Sequence, residues 1–407
     1  MNNTRKKVFV MLSGGVDSSV AAALLKERCF DVVGVFMKNW SGPASPASQG
    51  GGEYCPVIED EGDARRVAAK LVIPFYVLNF EKEYWRHVFE PFLEEIRRGG
   101  TPNPDVFCNE YIKFGVFLDR ALTLGADFVA TGHYARLRRE ITNHKSQTRA
   151  LNFIKCSAEH KTKFCALVTN KSQIQNSKSQ TVLYKLLKAI DQSKDQTYFL
   201  YRLNQFQLSK TLFPIGEYKK GEVREMAKKL GLPTYNKPDS QGICFVGETP
   251  FEEFLLQYIP QTQGKIVNSR GRQIGLHRGT AFYTIGQRRG LGIGGVPAPL
   301  FVAQKDIRTN MITAVAERDP LLYAKSITIG NVHWISGKEP TLPLRCKARI
   351  RYRQEIQKCV IEQRAGSWKL EAALLKVNFS KAPRAVTPGQ SIVFYQGDEV
   401  LGGGIIR

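Results

Sequence analysis

The 407-residue chain contains no apolar run near the ~18 residues that a membrane-crossing helix requires, so no membrane partner is expected. Its amino-terminal apolar stretch is interrupted by Gly14, Gly15 and Asp17, which spoils it as a signal peptide and points to the cytoplasm. Eight cysteines are present, at 29, 55, 108, 156, 165, 244, 346 and 359, yet no two stand in C-x2-C spacing. That argues against a zinc site and against a secreted disulfide framework, and chemically active cysteines must meet through the fold. Acidic residues are scarce: 37 Asp plus Glu face 59 Lys plus Arg, leaving a formal charge of +22. Such a surplus implies a polyanionic partner, and dispersed aromatic residues favour nucleic acid over a membrane surface. Apolar residues make up 43% of the chain, enough to build the cores of two or three domains.

Near the start, Val8-Phe9-Val10-Met11-Leu12 reads as a strand that runs into Ser13-Gly14-Gly15-Val16-Asp17-Ser18-Ser19 and then into the helix-like Val20-Ala21-Ala22-Ala23-Leu24-Leu25. Two adjacent glycines allow a tight turn with inward-pointing N–H groups, and the helix start adds partial positive charge, which together make a cradle for anionic oxygens. The Lys-Ser/Thr ending of a Walker loop is missing, so that motif's lysine-on-phosphate mechanism does not apply. Asp17, at the helix start, suits both a cap and a magnesium ligand. The same residues also fit an ordinary glycine-rich turn from strand to helix.

From residue 6 to 134 strand and helix signals alternate, with strands at 7–12, 32–37, 75–80 and 128–131 and amphipathic helices at 18–28, 61–71, 82–97 and 110–124. This order predicts a parallel sheet covered on both faces, with ligands at the carboxyl ends of the strands. Residues 13–18, 37–40 and Gly132-His133-Tyr134 all fall at those ends. The polar composition from about 140 to 180 predicts a surface insertion whose lysines are solvated. Another helix is expected at 221–230, bounded by Gly231 and Pro233. The first domain would then span 1–250, followed by a small mixed module at 251–320 and an antiparallel sheet or barrel at 321–407.

In that last part Arg345, Lys347, Arg349, Arg351 and Arg353 recur at every second position, which puts five cations on one strand face. In a chain this basic they are expected to meet phosphates. Lys265, Arg270, Arg272, Arg278, Arg288 and Arg289 make a second basic patch. Cys108 stands at the start of the expected 110–124 helix, where the dipole favours thiolate, and Cys244 follows a turn at Gly242 that admits a bulky ligand. Taken singly, each also reads as a small buried apolar residue.

Taken together, SGGVDSSVAA (13–22), FMKNW (36–40), TPNPDVFCN (101–109), ATGHYA (130–135), KDQTYFL (194–200), KPDSQGICFVG (237–247), YTIGQRRGLGI (283–293) and RIRYRQ (349–354) resemble a known family in order and over nearly the whole chain. It is that of the bacterial tRNA-specific 2-thiouridylases, tRNA-uridine 2-sulfurtransferases among the pyrophosphate-loop ATP pyrophosphatases. The chain departs from the family pattern in the insertion, in Val72 where glycine is frequent, and in Glu110 where a basic residue is common.

The resemblance implies an α/β fold, with a parallel-sheet catalytic domain like the adenine-nucleotide α-hydrolases, a small central tRNA-binding module and a carboxyl-terminal β-barrel-like domain. It implies that Met11, Leu12, Ser13, Gly14, Gly15, Val16, Asp17, Ser18, Met37 and Gly132 hold ATP, with Mg2+ on Asp17. Asn103, Pro104 and Asp105 would hold the target base, and His133, Lys194, Asp195, Gln196, Arg351, Tyr352 and Gln390 would contact tRNA. Cys108 would be the nucleophile and Cys244 the persulfide carrier, with a transient disulfide between them. The implied partners are tRNAs with a wobble uridine, the lysine, glutamate and glutamine acceptors, and a sulfur-relay donor protein or cysteine desulfurase.

The chemistry is coherent. A uridine C2 oxygen leaves poorly, adenylation converts it into AMP, and the base must quit its stack to be reached. The alternative enzyme is another ATP pyrophosphatase, such as a lysidine synthetase or an amidotransferase-type ligase, which needs no persulfide cysteine. The alternative class is a non-catalytic RNA-binding protein on a relic nucleotide fold. Simple alternation sets Tyr352 opposite the arginines, so the strand must end or bulge there if both Arg351 and Tyr352 meet RNA.

Overall fold

A computed structural model describes residues 5–40, 56–142, 148–152, 181–239, 251–295, 298–363 and 374–407. The first half carries β1 (Lys7–Met11), β2 (Asp31–Lys38), β3 (Phe75–Asn79), β4 (Phe128–Ala130), β5 (Ala135–Thr142), β6 (Thr148–Asn152), β7 (Thr181–Lys188) and β8 (Thr211–Leu212). Its helices are α1 (Val16–Glu27), α2 (Pro56–Leu71), α3 (81–97), α4 (104–123) and α5 (Lys220–Lys229), the third and fourth containing π-helical turns at Trp85–Phe89 and Cys108–Val116. Five strands form a parallel sheet in the order β3-β2-β1-β4-β8.

Alternation along β1 explains why helices cover both faces. Val8, Val10 and Leu12 pack with Ala64, Val67 and Ala68 of α2, whereas Phe9 and Met11 share a core with Phe89, Phe92 and Phe117 of α3 and α4. A strand buried on both sides reads as a continuous apolar run, as β1 does. From β1 the chain builds β2 and β3 on one side, then places β4 on the other. A crevice therefore opens between the carboxyl ends of β1 and β4.

The second half carries β9 (Gly264–Val267), β10 (Gln273–His277), β11 (Leu300–Asp306) and β12 (Met311–Ala316), a four-stranded sheet in the order β10-β9-β12-β11. It ends with β13 (Ser326–Trp334), β14 (Leu344–Arg349), β15 (Gln357–Gln363), β16 (Leu375–Phe379), β17 (Ser391–Gln396) and β18 (Glu399–Ile406). These six close into an antiparallel barrel through the β13–β18 pairing, around a core that includes Ile329, Ile361, Val377 and Phe394. The barrel's sheet then continues through β7, β5 and β6.

That continuation revises one expectation. Residues 140–142 are not the start of a polar loop but the end of β5, which pairs with β6 and with β7, and Glu399 of β18 faces Leu187 of β7. Lys185 fixes the join, its ammonium lying 3.1 Å from Glu140 and 3.0 Å from Glu399. The rest of the expected insertion, 143–147 and 153–180, lies outside the described residues. A second revision concerns α4. It starts at Pro104, capped by the Asn103 side chain, which accepts from the N–H groups of Asp105 and Val106. Cys108 thus sits beyond the first helical turn, where the dipole effect has faded. Val72 follows α2 at a left-handed φ of +49°, which a β-branched side chain tolerates poorly and glycine takes freely. Glu110 is paired with Arg202.

The expected cationic strand face divides in two. β14 ends at Arg349, and residues 350–353 turn away from it. Arg345 and Lys347 are exposed, but Arg349 points inward, 3.6 Å from the Asp195 carboxylate and over the Tyr395 ring. Arg351 donates to the carbonyls of Ile285 and Ala385 and to the Thr387 hydroxyl, clasping the central sheet's Tyr283–Gly286 segment to the barrel. Tyr198, also buried, donates to the Ser391 carbonyl at 2.7 Å. Asp195 is 1% exposed and accepts from the Ala189 N–H and the Thr197 hydroxyl, so its carboxylate belongs to this joint and not to an RNA-facing surface. Burial pushes its carboxyl up against those stabilising contacts. Replacing Asp195 by Ala removes the acceptor and strands Arg349, a loss of about 3 kcal/mol. A calorimetric melt should show a clearly lowered midpoint for Asp195→Ala, and an unchanged midpoint would mean that the joint does not depend on it.

Candidate active site

The loop after β1 is built to receive an anion. Gly15 precedes α1 without any side-chain cap, so the first N–H groups of a twelve-residue helix are left for a ligand. Gly14 has φ +74°, and a Cβ there would lie 2.3 Å from the Asp60 carbonyl oxygen. The Ser18 hydroxyl accepts from the Ser13 N–H at 3.2 Å, and Ser19 donates to the Gly15 carbonyl at 2.7 Å. Gly132, after β4, closes the crevice from the other side: a Cβ would meet the Ser18 nitrogen at 2.6 Å. Glycine is required there because two backbones touch. Met11, Leu12 and Val16 are buried beneath the loop, and Met37 is half-buried at the end of β2.

Beside this loop lies a chain of charges. The ammonium of Lys220, at the first position of α5, is 2.8 Å from both Asp17 oxygens and 2.8 Å from Asp239. The Tyr134 hydroxyl donates to Asp17 at 2.9 Å, and burial with these carboxylates pushes its own pKa far up. Asp239 also receives Lys194 and Arg224, each at 2.7 Å. Despite partial burial, Lys194 and Lys220 hold the Asp239 carboxyl well below the usual range. Lys237 reaches back to Asp60 at 2.7 Å and to Asp63, both in α2. The segment leading to Cys244 is therefore tied to the anion loop at Asp239, through Lys220, and to α2 at Lys237. Cys244 itself lies outside the described residues.

Asp17 is the one carboxylate in the loop, and among the described residues no group of three or more His, Cys, Asp or Glu gathers around a point. Both Asp17 oxygens face the Lys220 ammonium, so a magnesium held mainly by phosphate oxygens would have to share this single carboxylate with it.

Cys108 is fully buried in the π-helical part of α4. Its neighbour Asn109 donates to the Phe199 carbonyl at 3.1 Å, and Phe199 in turn packs on Tyr352 with ring centroids 4.5 Å apart. Before the helix, the Thr101 N–H donates to the Pro388 carbonyl at 2.9 Å, and Gly389 packs on Gly100 and Thr101. The fold thus sets Pro388 and Gly389 against the chain just before Asn103, and Gln390, next in sequence, is half-buried. Gln196 is bonded to the Tyr134 backbone in both directions, at 2.9 and 3.0 Å, which joins the residues after 194 to the crevice. His133 shares a 2.8 Å hydrogen bond with the Thr131 hydroxyl, between Phe114 and Phe213. Burial there, with Lys113 nearby, depresses its pKa well below the usual imidazole value, so at neutral pH it offers hydrogen bonds and no charge.

The anion loop, Gly132-His133-Tyr134, Lys194, Gln196 and the approach to Cys244 meet around one crevice. Cys108 is linked to Tyr352 through Asn109 and Phe199, whereas Asp195 and Arg351 are spent on the joint behind. Lys220, Arg224 and Asp239 were missed as functional candidates. One signal was present: a lysine at a helix start opposes the dipole and needs a carboxylate partner. In the central sheet, Arg278 is paired with Glu252, while Arg270, Arg272, Arg288 and Arg289 are exposed.

Comparison with known proteins follows the same division. Residues 6–171 and 152–248 match the tRNA methyl transferase HUP domain, 252–316 the tRNA methyl transferase PRC-barrel domain, and 324–406 the aminomethyltransferase beta-barrel domain. The chain is 44% identical over 407 residues to the tRNA-specific 2-thiouridylase MnmA of Methylobacillus flagellatus, covering 99% of each. It is 44% identical to that of Hydrogenovibrio crunogenus, over 100% of this chain and 95% of the other, and 44% identical to that of Francisella tularensis subsp. novicida, over 98% and 99%.

Lys220→Met would leave Asp17 and Asp239 without their shared cation. Pyrophosphate release from ATP in the presence of tRNA should fall by at least about thirtyfold, equivalent to ~2 kcal/mol of transition-state stabilisation, with tRNA binding retained. Lys220→Arg should recover part of it. Normal turnover in Lys220→Met would separate this network from the chemistry.

Proposed function

This chain belongs to the tRNA-specific 2-thiouridylase family and is a tRNA-uridine 2-sulfurtransferase, and we propose that it activates the wobble-uridine C2 oxygen with ATP and delivers sulfur from a cysteine persulfide. The observation that carries this reading is the approach of the segment before Cys244 to the uncapped start of α1, through Lys220 shared between Asp17 and Asp239.

ATP would lie across the β1–β4 crevice, its phosphates on the N–H groups after Gly15 and its charge offset by Lys220. Magnesium, when bound with ATP at Asp17, would offset further charge on the triphosphate. The target uridine, turned out of its stack, would enter beside Asn103, Pro104 and Asp105. Because Asn103 spends its side-chain oxygen on the helix cap, its amide nitrogen is the group left for a base. The C2 oxygen attacks the α-phosphorus, pyrophosphate leaves, and the oxygen becomes part of a good leaving group. The terminal sulfur of the Cys244 persulfide then attacks C2 and AMP departs. Cys108 attacks the inner Cys244 sulfur, which releases the thiocarbonyl and leaves a Cys108–Cys244 disulfide for a thiol reductant to reopen. The sulfur would come from a relay protein or cysteine desulfurase, and the tRNAs would be those for lysine, glutamate and glutamine. Since Cys108 is fully buried, its partner sulfur must reach it inside the fold.

On the RNA side, Asp195 and Arg351 would act by holding the joint that presents Tyr352, not by touching phosphate. The exposed cations fit that task better. Lys347 stands directly opposite Lys358, and like charges so placed repel unless an anion lies over them. No helix among the described residues is long and apolar enough to cross a membrane.

Nucleoside mass spectrometry of tRNA from cells lacking this protein should show the loss of 2-thiouridine. Cys108→Ser and Cys244→Ser should each fail to restore it while still binding tRNA and ATP, and only Cys108→Ser should accumulate a protein persulfide. Normal thiolation by Cys244→Ser would remove the persulfide step. Changing Arg345, Lys347 and Lys358 together to Gln should weaken tRNA binding and flatten its salt dependence by about 0.7 to 0.9 log units for each phosphate no longer neutralised. An unaltered slope would assign phosphate binding to other residues.

A further inference from the structure

The barrel contains a second pair of cysteines that the sulfur chemistry above does not use. Cys346 of β14 stands directly opposite Cys359 of β15, and their sulfurs are 3.6 Å apart as free thiols. Both are buried, at 9% and 4% exposure, in the core that includes Ile361, Val377 and Phe379. Among the described residues no third metal-ligating side chain joins them. They close the base of the hairpin whose turn carries Arg351, clasped to Ile285 and Thr387, and Tyr352, packed on Phe199.

Two properties of the pair make it a reactive unit and not only filler. Directly opposed antiparallel positions bring Cβ atoms to about 4.5–5.5 Å, close to the ~3.8 Å that a disulfide needs. The sulfurs, 3.6 Å apart, need to approach by about 1.5 Å to bond, within reach of rotation about χ1 and a small strand adjustment.

We propose that Cys346 and Cys359 are a dithiol modification site, oxidised to an intrachain disulfide by small-molecule disulfides. The Cys346 thiolate attacks the oxidant RS–SR, forming a mixed disulfide and expelling RS–. The Cys359 thiolate then attacks the Cys346 sulfur, the second RS– leaves, and both take up the protons the cysteines gave, so two protein thiols and RSSR become one protein disulfide and two RSH. The order follows from the site: Cys346 is the more exposed, and its hydrogen bond together with burial pushes the Cys359 thiol up. The product staples the hairpin behind Arg351 and Tyr352.

The test uses full-length protein carrying Cys108→Ser and Cys244→Ser, so that the disulfide assigned to turnover cannot form and its failure is judged separately. The folded protein is incubated with excess oxidised glutathione, quenched, alkylated in denaturant, and digested without reduction. The expected result is a linked peptide pair containing Cys346 and Cys359, lost in Cys346→Ala, reversed by dithiothreitol, and accompanied by slower amide exchange across β14 and β15 in the oxidised protein. The proposal is overturned if both cysteines are recovered alkylated while the exposed Cys29 has reacted, or if either carries glutathione without a link to the other. The peptide map of the parent protein decides the matter even if Cys346→Ala does not fold.

Discussion

One ammonium group holds the catalytic half of the molecule in register. Lys220 is buried at a helix start, where both desolvation and the dipole oppose a cation, and it is stable there only because Asp17 and Asp239 face it. Three parts of the chain far apart in sequence are thereby fixed to one another: the loop after β1, the start of α5, and the residues leading to Cys244. Asp239 extends the tie to Lys194 and Arg224, so these separate segments share one electrostatic centre. Such a centre makes the position of each group depend on the charge of the others. Any anion placed beside Asp17 would alter the field at Asp239 without a backbone wire between them.

A second, quieter constraint sits behind it. Asp195, Arg349, Arg351, Tyr198 and Ser391 lock the parallel-sheet half to the barrel, with Thr387 and Ile285 bringing in the central sheet. Through this lock the barrel's 387–390 corner lies against Thr101, on the strand of chain that leads to Cys108.

What could be read in the sequence was local. The β1 run, the glycine pair, the alternation of strands with amphipathic helices and the short strands after residue 320 each follow from a period or a turn signal confined to a few residues, and the structure has the matching elements. Loop positions at the carboxyl ends of β1 and β4 followed from topology once the strands were parallel. What could not be read was non-local. Nothing near Lys220 announces Asp17, and nothing near β7 announces β18, because those partners are set by how the layers stack. Counting cations on alternate positions likewise could not tell Arg349, turned inward to Asp195, from Lys347, turned outward. The helix start was placed too late for a local reason: Asn103 and Pro104 are a cap and first-turn pair, and reading them as a loop moved Cys108 to the dipole's end.

The double pairing of β18 has a consequence for how the molecule comes into being. Its residues bond to β17 and β13 to close the barrel and to β7 to attach the ribbon of β5 and β6. On the ribosome every one of those partners is made before β18. Until it emerges, β7 presents an open edge, the barrel stays a curled sheet with two free sides, and the lock around Ser391 has no backing strand. Unpaired edges of this kind invite pairing between chains, and Lys185 and Lys188 on β7 are the sort of residue that discourages it. Synthesis of the nascent chain, not only its thermodynamics, therefore lets β18 set when the barrel closes.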